Sequence, residues 1–528
     1  MIARIDTEIA VIGASLGGVL AAWQAAQQGL RVLLAAEYAW LGGQLTSQGV
    51  PPDEHPLIES GGASASYMAM RTALRAHYLA QPGFRDNTAM TEGCNPGDGW
   101  VSRLCVEPAV AAEYIEQLLA PHIASGRMRI LRGVRLCSAQ RAGRTIVSAT
   151  VIDGEGLRTD IHAPWFLDGT DTGALIKAAG LPYRLGKEAR SEFGEPDAPE
   201  TADRNDQQPV TVVMALRREA SASAAAAEAP PGYAFWSRYL VPHYGYAQFS
   251  EYIPGSGRGQ AVRLPLFGSG ATLDLWRYRR VVSAANWQPP RSEVSLVNWA
   301  QNDYALHPLL DGGMDEADVV AAARELSLCL LHWLRTEAPR PDGGAGYPEL
   351  ALAPDVLATP DGLAQQVYVR ESRRIIGLAC LSQADILPGG ATATPGSDAD
   401  SHNVGVAWYN MDIHPTVVSG HGVNARVRPF ELPLGSFIPA DCNNLIPACK
   451  NISVTHLVNA CTRVHPAEWL IGEVAGLLAV FALGCGQPLA AIHGSAELRA
   501  AFRQQLRAAG IPLEWDRALL ARLPDIQH

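Results

Sequence analysis

No Cys-x-x-Cys pair, His-Glu-x-x-His helix or G-x-x-x-x-G-K-[ST] loop occurs in the 528 residues. Those absences remove a dithiol reductase, a zincin-type hydrolase and a P-loop nucleotide hydrolase from consideration. The nine cysteines, at 94, 105, 137, 329, 380, 442, 449, 461 and 485, are odd in number and scattered. Neither a disulfide framework nor a metal site is expected of them; buried thiols in a reducing cytoplasm are the simpler reading. Basic blocks are missing too. With 42 basic against 53 acidic residues and a net charge of −11, neither nucleic acid nor an anionic membrane surface is an expected partner. Glu8 interrupts the N-terminal apolar stretch, so no secretion signal is read and a cytoplasmic location is expected. The most apolar late segment, Trp469 to Cys485, carries Glu473 and three glycines, the composition of a buried helix more than of a membrane span. Charged residues make up only 18% and hydrophobic ones 48%. That excludes disorder and leaves room for large cores in two or three structural units.

What is present begins at once. Ile9-Ala10-Val11-Ile12 is a continuous apolar run, the pattern of a parallel strand covered on both faces. The turn Gly13-Ala14-Ser15-Leu16-Gly17-Gly18 follows, then a helical pattern on Leu16, Val19, Leu20, Trp23 and Ala26 that stops at Gly29. Arg31 to Ala36 is a second strand ending at Glu37. A diphosphate needs backbone N–H groups and a helix N-terminus close by, and a side chain at the tightest point would block it. Gly13 supplies the sharp turn and Gly18 the close helix packing; Ser15 replaces the middle glycine with a small side chain whose hydroxyl can itself bond phosphate. Glu37, 24 residues after Gly13, is placed to accept the hydroxyls of an adenosine ribose and would repel the 2′-phosphate of NADP. Dinucleotide binding is the expectation.

Further along, Pro108 opens a helix that runs to about Ser125, strand-like runs cover Met128–Leu136 and Thr145–Ile152, and Trp165-Phe166-Leu167 leads into Asp168-Gly169-Thr170. Residues 195–208 read as a domain-crossing loop, and Pro209–Arg217 as a strand opening a second unit. Ala220–Ala229 is low in complexity, either a surface helix or a loop. Fourteen aromatic residues lie between Gly232 and Tyr304; they are read as a β-rich core or as a ring-lined pocket. Asp315–Arg335 has the period of a long amphipathic helix. A second dinucleotide loop is not found: Gly255-Ser256-Gly257-Arg258-Gly259 has neither a preceding strand nor a following amphipathic helix.

Leu41-Gly42-Gly43-Gln44-Leu45-Thr46-Ser47-Gln48 resembles the segment that follows the ribose acid in flavoproteins. So do Leu167-Asp168-Gly169-Thr170, Gly186 to Glu195, Val369 to Ile375, Asn410 to Pro415 and Ile471 to Gly476. On these blocks the chain is similar to the FAD-dependent oxidoreductase family of bacteria, related to glutathione-reductase-type FAD domains. The resemblance implies an α/β flavoenzyme with a discontinuous Rossmann-like FAD-binding domain, residues 1–195 and 425–490. A β-rich α+β substrate domain, 209–424, is inserted between them, and a helical segment, 491–528, ends the chain. FAD is the implied cofactor, held by Gly13, Ala14, Ser15, Gly18, Glu37, Gly42, Gly43, Gln44, Asp168 and Gly169. The helix carrying Gly472 would present its N-terminus to the flavin. No residue commits to a covalent flavin link; His55 and Cys449 are the positions to check.

Five histidines, 55, 402, 414, 456 and 465, fall in or beside these blocks. His456 is expected to accept the substrate proton, with Arg463 stabilising negative charge; His414 is its rival, with Asp412 two residues before it. Arg370, Arg373 and Arg374 are expected either to bind an anion or to form an interdomain ion-pair network. The expected reaction is hydride removal from a C–H bond of a small organic substrate to flavin N5, with oxygen or a separate carrier as acceptor. An NAD(P)H-driven monooxygenase is the alternative within enzymes, a non-catalytic flavin carrier the alternative outside them. Homo-oligomerisation stays open.

Overall fold

The computed structural model describes residues 3–88, 93–219, 228–255, 260–268, 273–387 and 401–521. Most of the alanine-rich run and residues 256–259 of the second glycine loop lie outside them. The frame is a five-stranded parallel sheet. Its strands are β1 (Ile9–Ile12), β2 (Val32–Ala36), β3 (Met128–Arg132), β4 (Trp165–Asp168) and β5 (Leu445–Pro447). Their order across the sheet is β5-β4-β1-β2-β3, so the last strand arrives from far along the chain to pair with β4, Leu445 opposite Phe166. The apolar runs are unbroken because both faces are covered. Ile9, Val11, Val32 and Leu34 face a helical layer, while Ala10, Ile12, Leu33 and Ala35 face an antiparallel meander of Val134–Ala142, Thr145–Asp153 and Arg158–His162.

The helical layer contains α1 (Leu16–Gln27) and α2 (Pro108–Ala124), together with residues from near the other end of the chain. A second apolar cluster forms around the antiparallel sheet of Met214–Arg218, Arg280–Val282, Val294–Val297 and Leu350–Leu352, covered by α3 (Glu316–Thr336). Tyr233, Trp236, Phe249, Trp276, Trp299 and Tyr304 are buried in it. Six of the fourteen aromatic residues in that stretch are therefore core of this cluster. Near the C-terminal end come α4 (His456–Thr462) and α5 (His465–Cys485). Ile452–Leu457 reads in sequence as an apolar run flanking a turn; here Thr455 caps α4, its hydroxyl accepting the Val458 N–H, and His456 is the first helical residue.

Helix α5 is long and apolar enough to cross a membrane by length and composition, but 72% of its apolar window is buried inside this fold. It lies directly on α1. A Cβ on Gly472 would stand 2.2 Å from the Gly17 carbonyl oxygen, and one on Gly476 2.4 Å from that of Ala21. Residues four apart share a helix face, so these two pairs form one seam of backbone-to-backbone contact. Gly472→Val should therefore destabilise the protein by about 3 kcal/mol, the upper part of the usual overpacking range, because the obstacle is main chain. Gly484→Ala, on the same helix with nothing within 4 Å among the described residues, should stabilise it by about 0.5–1 kcal/mol. Urea unfolding of both variants checks the contrast.

Candidate active site

A cleft of about 800 Å³ opens at the carboxyl ends of β1, β2 and β4, the usual place for a ligand on such a sheet. Gly13 turns the chain with φ +96°, and a Cβ there would stand 2.4 Å from the Thr170 N atom. Ser15 is the N-cap of α1: its Oγ accepts the Gly18 N–H at 3.1 Å, and its own N–H donates to Gly169 O at 3.2 Å. Gly13 to Gly17 also spells G-x-S-x-G, the pattern of a nucleophile elbow. No histidine lines this cleft among the described residues, so the serine is a cap. Gly42 donates its N–H to Ala14 O at 3.0 Å, and Gly43, at φ +50°, brings its backbone against Ser15 and Leu16. Glu37 lines the cleft, where burial raises its pKa against the opposing charge of Arg135. Asp168 does not line it. Its carboxylate is spent on Thr170 N–H and O–H, at 3.0 and 2.6 Å, and on the Ile176 N–H at 3.0 Å. Burial lifts its pKa to about 6. It clamps the turn that presents Gly169.

Behind this cleft lies a buried cluster that the sequence did not reveal. Lys450 Nζ sits 2.5 Å from Asp171 and 3.0 Å from Glu468. Glu468 Oε1 also accepts the Gly17 N–H at 3.2 Å and Cys449 Sγ at 3.1 Å. Burial opposes the Lys450 charge, but Asp171, Cys449 and Glu468 outweigh it and hold its pKa well above the ordinary value. Asp171, Cys449 and Glu468 could geometrically hold a metal, yet the ammonium already bonds both carboxylates. Gln44 Nε2 reaches Glu468 at 2.5 Å and Arg463 O at 3.0 Å. Its Oε1, and both amide atoms of the fully buried Gln48, have no hydrogen-bond partner among the described residues. A turn with no room for a side chain at Gly13, a ribose-placed acid and orphaned buried amides fit FAD: Gly13 to Gly18 and Glu37 would hold its ADP half, Gln44 and Gln48 the flavin half. Gly472, by contrast, lies in the seam against Gly17 and does not line the cleft.

A second pocket, of about 140 Å³, gathers residues from widely separated stretches, including Asp53, Tyr278, Arg279, Tyr368, Arg370, Asp412, His414 and Arg463. Arg279 pairs with Asp53 at 3.2 Å, Arg370 with Asp303 at 2.8 Å and Arg463 with Asp412 at 3.1 Å. His414 stands between two carboxylates, Nδ1 at 2.5 Å from Asp303 and Nε2 at 3.4 Å from Asp412. Burial and the Arg370 charge oppose its protonation, but Asp303 and Asp412 prevail and its pKa is raised. His414 and Arg463 thus meet.

The other expected residues go elsewhere. His456 is bonded to Glu188, through both its Nδ1 at 2.6 Å and its N–H at 2.9 Å, and Glu188 is paired with Arg374 at 2.8 Å. It lines a different cavity from Arg463. Arg373 is committed to Asp311 at 2.8 Å and Glu316 at 3.1 Å, and only Glu316 reaches the large cleft. His55 packs between Trp408 and Trp515, while Cys449 stands in the Lys450 cluster. His465 accepts the Asp53 N–H on Nδ1 at 3.0 Å and donates from Nε2 to Val50 O at 3.1 Å, fixing the loop that carries Asp53.

Two measurements follow from this geometry. Gly13→Val should abolish FAD retention, because its side chain meets the Gly169–Thr170 backbone at an unfavourable φ. Glu37→Ala should only weaken retention, by about 1.5–3 kcal/mol for a lost charge-assisted bond; equilibrium dialysis of the cofactor separates the two. The second measurement concerns acid stability. Burial lowers the His55 pKa to about 4 and that of His465 to about 3. Both stay neutral in the fold but gain a proton on unfolding below about pH 6.5, so the stability that they confer is lost as pH falls. At pH 5 each should cost about 2 kcal/mol relative to pH 7. Urea unfolding of His55→Phe at both pH values should show one such increment removed.

No curated protein sequence matches the chain. Among solved structures it is similar to L-proline dehydrogenase from P. horikoshii, with 16% identity, a TM-score of 0.19 and coverage of 32% of this chain. That match spans only 23% of the dehydrogenase's own length. A geranylgeranyl bacteriochlorophyll reductase-like protein from Thermoplasma acidophilum matches at 10% identity and TM-score 0.35, covering 96% of this chain and 85% of that one. The myxobacterial chondrochloren halogenase matches at 12% identity and TM-score 0.34, covering 97% and 84%. The family model described as FAD dependent oxidoreductase matches residues 8–506. With a dinucleotide cleft at its N-terminus and that match over nearly its whole length, the chain belongs to the FAD dependent oxidoreductase family, and FAD is its cofactor.

Proposed function

We propose that this enzyme oxidises a C–H bond of a small organic molecule held in the pocket around His414 and Arg463, with oxygen or a separate carrier as the final acceptor. FAD, when bound, supplies the hydride acceptor at flavin N5. The observation that carries the reading is the stretch from 366 to 370. Gln366, Val367 and Val369 wall the dinucleotide cleft, while Tyr368 and Arg370 wall the pocket. One segment therefore faces the cofactor cleft on one side and the candidate substrate on the other. In the pocket, Asp303 orients the imidazole of His414 through Nδ1, leaving Nε2, with its longer contact to Asp412, to take the substrate proton. Arg463, whose guanidinium donates to the Tyr368 hydroxyl at 2.6 Å, stabilises negative charge that develops on the substrate. Tyr278, Tyr368 and Trp299 supply apolar surface that excludes water.

The test is stopped-flow reduction of the flavin under nitrogen, with a substrate found by screening compounds for bleaching. His414→Asn should slow reduction by about 10²–10⁴ while FAD stays bound, and His456→Ala should reduce at the parental rate. Because the His414 pKa is raised, its neutral form appears only above the ordinary histidine value. The parental rate should therefore fall as pH drops through a midpoint above 6.5, and His414→Asn should lose that dependence. A slow His456→Ala beside a normal His414→Asn would move the base to α4. Bleaching by NAD(P)H and not by any organic donor would favour the monooxygenase.

A further inference from the structure

The pocket around His414 is small. At about 140 Å³ it falls below the 300–1,000 Å³ of most ligand sites. On the far side of one wall is a cavity of about 550 Å³, lined by Lys187, Asp206, His243, Val418, His456 and Leu457 among others. Two residues line both spaces, Ile413 and Val423. They are direct partners in the antiparallel pair formed by Met411–Ile413 and Val423–Ala425. What the two spaces share is one cross-strand pair of β-branched side chains, which have few rotamers and do not fold aside freely.

The segment joining the two strands is fastened from the outer side. Lys187 Nζ lies 2.9 Å from Asp206 and donates to Thr416 Oγ1 at 2.8 Å, Ser419 Oγ at 3.0 Å and the His421 carbonyl at 3.3 Å. Close approaches hold the same loop: a Cβ on Gly420 would stand 2.9 Å from Pro242, and one on Gly422 2.6 Å from the Ile413 carbonyl. The loop thus carries His414 to the inner pocket and Val418, Ser419 and His421 to the outer cavity, with its position held by named bonds.

We infer that the outer cavity is the antechamber of the active-site pocket and that the Ile413–Val423 pair is the threshold setting how long a substrate the enzyme accepts. The inference rests on the reading of the inner pocket as the substrate site. The accepted class is an elongated molecule: a polar head that reaches His414 and Arg463, and an apolar tail whose length is limited where it meets the Ile413–Val423 pair, with Val418 and Leu457 beyond it.

The probe is the series of n-alkanols from butanol to decanol, titrated into the FAD-loaded enzyme while the flavin absorption spectrum is followed. While added methylenes find apolar space, affinity should rise about fourfold per methylene, then level off where the chain meets the threshold. Val423→Ala should move that break to longer alkanols, and Val423→Trp to shorter ones. Ile413→Ala, which removes bulk from the other side of the pair, should act like Val423→Ala and covers the case in which the tryptophan variant does not fold. The same break in the parent, Val423→Ala and Ile413→Ala would overturn the threshold while leaving the pocket in place. If no alkanol perturbs the parental flavin although an organic donor still bleaches it, the pocket assignment itself fails, and the threshold with it.

Discussion

The contact of α1 with α5 is the constraint on which the cleft depends. Gly17 and Ala21 on one helix meet Gly472 and Gly476 on the other with no side chain between the backbones. Two segments more than four hundred residues apart are thereby set at one distance, and the first turn of α5 lands on the first turn of α1. Glu468 then reaches the Gly17 N–H, an anion at a helix N-terminus, where the free N–H groups and the helix dipole both favour it. Lys450 is held in turn by Glu468 and Asp171. The dinucleotide loop is local in sequence, but the residues behind it are assembled through this seam.

Buried charge is the second organising feature. The Lys450 cluster, the Arg–Asp pairs around His414 and the group of Glu188, Glu371, Arg374 and His456 are all largely removed from solvent. Desolvating an ion costs several kcal/mol, and pairing recovers that only where geometry is good. These networks are thus weak sources of net stability. What they do is fix positions, because removing one partner leaves a buried charge uncompensated. Arg370 shows the consequence: it bonds Asp303, Thr211 and the Pro209 carbonyl together, so the pocket wall is tied to the short strand Val210–Thr211.

How much of this could be read from the sequence follows from how local each part is. The cleft was legible because strand, turn, helix and ribose acid fall between Ile9 and Glu37, and each element carries its own signal. Helix α3 was legible from its apolar period, with Asp315 marking its start. The pocket was not. Asp53, Arg279, Tyr368, Arg370, His414 and Arg463 come from separate stretches, and no spacing announces that the fold will gather them. Asp168 shows a different limit: the motif marks a functional turn, but whether the carboxylate faces a ligand or clamps the backbone is decided by three hydrogen bonds formed only in the fold. Gly472 had a usable signal, since Gly472 and Gly476 recur at the four-residue spacing of a close helix contact, as do Gly17 and Ala21.

His414 and His456 could not be separated by sequence, and the reason is physical. Each imidazole is held by a carboxylate at nearly the same distance, 2.5 Å from Asp303 and 2.6 Å from Glu188, so the first partner does not discriminate between them. The rest of the surroundings does. Glu188 also accepts the His456 backbone N–H and is fixed by Arg374, which makes His456 the anchored first residue of α4. Asp303 is shared with Arg370, and the other nitrogen of His414 faces Asp412, itself paired with Arg463 across the pocket. A proton arriving at His414 is met by two carboxylates and two guanidinium groups whose charges oppose one another, so its affinity responds to anything placed among them. His414 shares its pocket with Tyr368 and Arg370, from the stretch whose other residues wall the cofactor cleft, whereas His456 lines a different cavity.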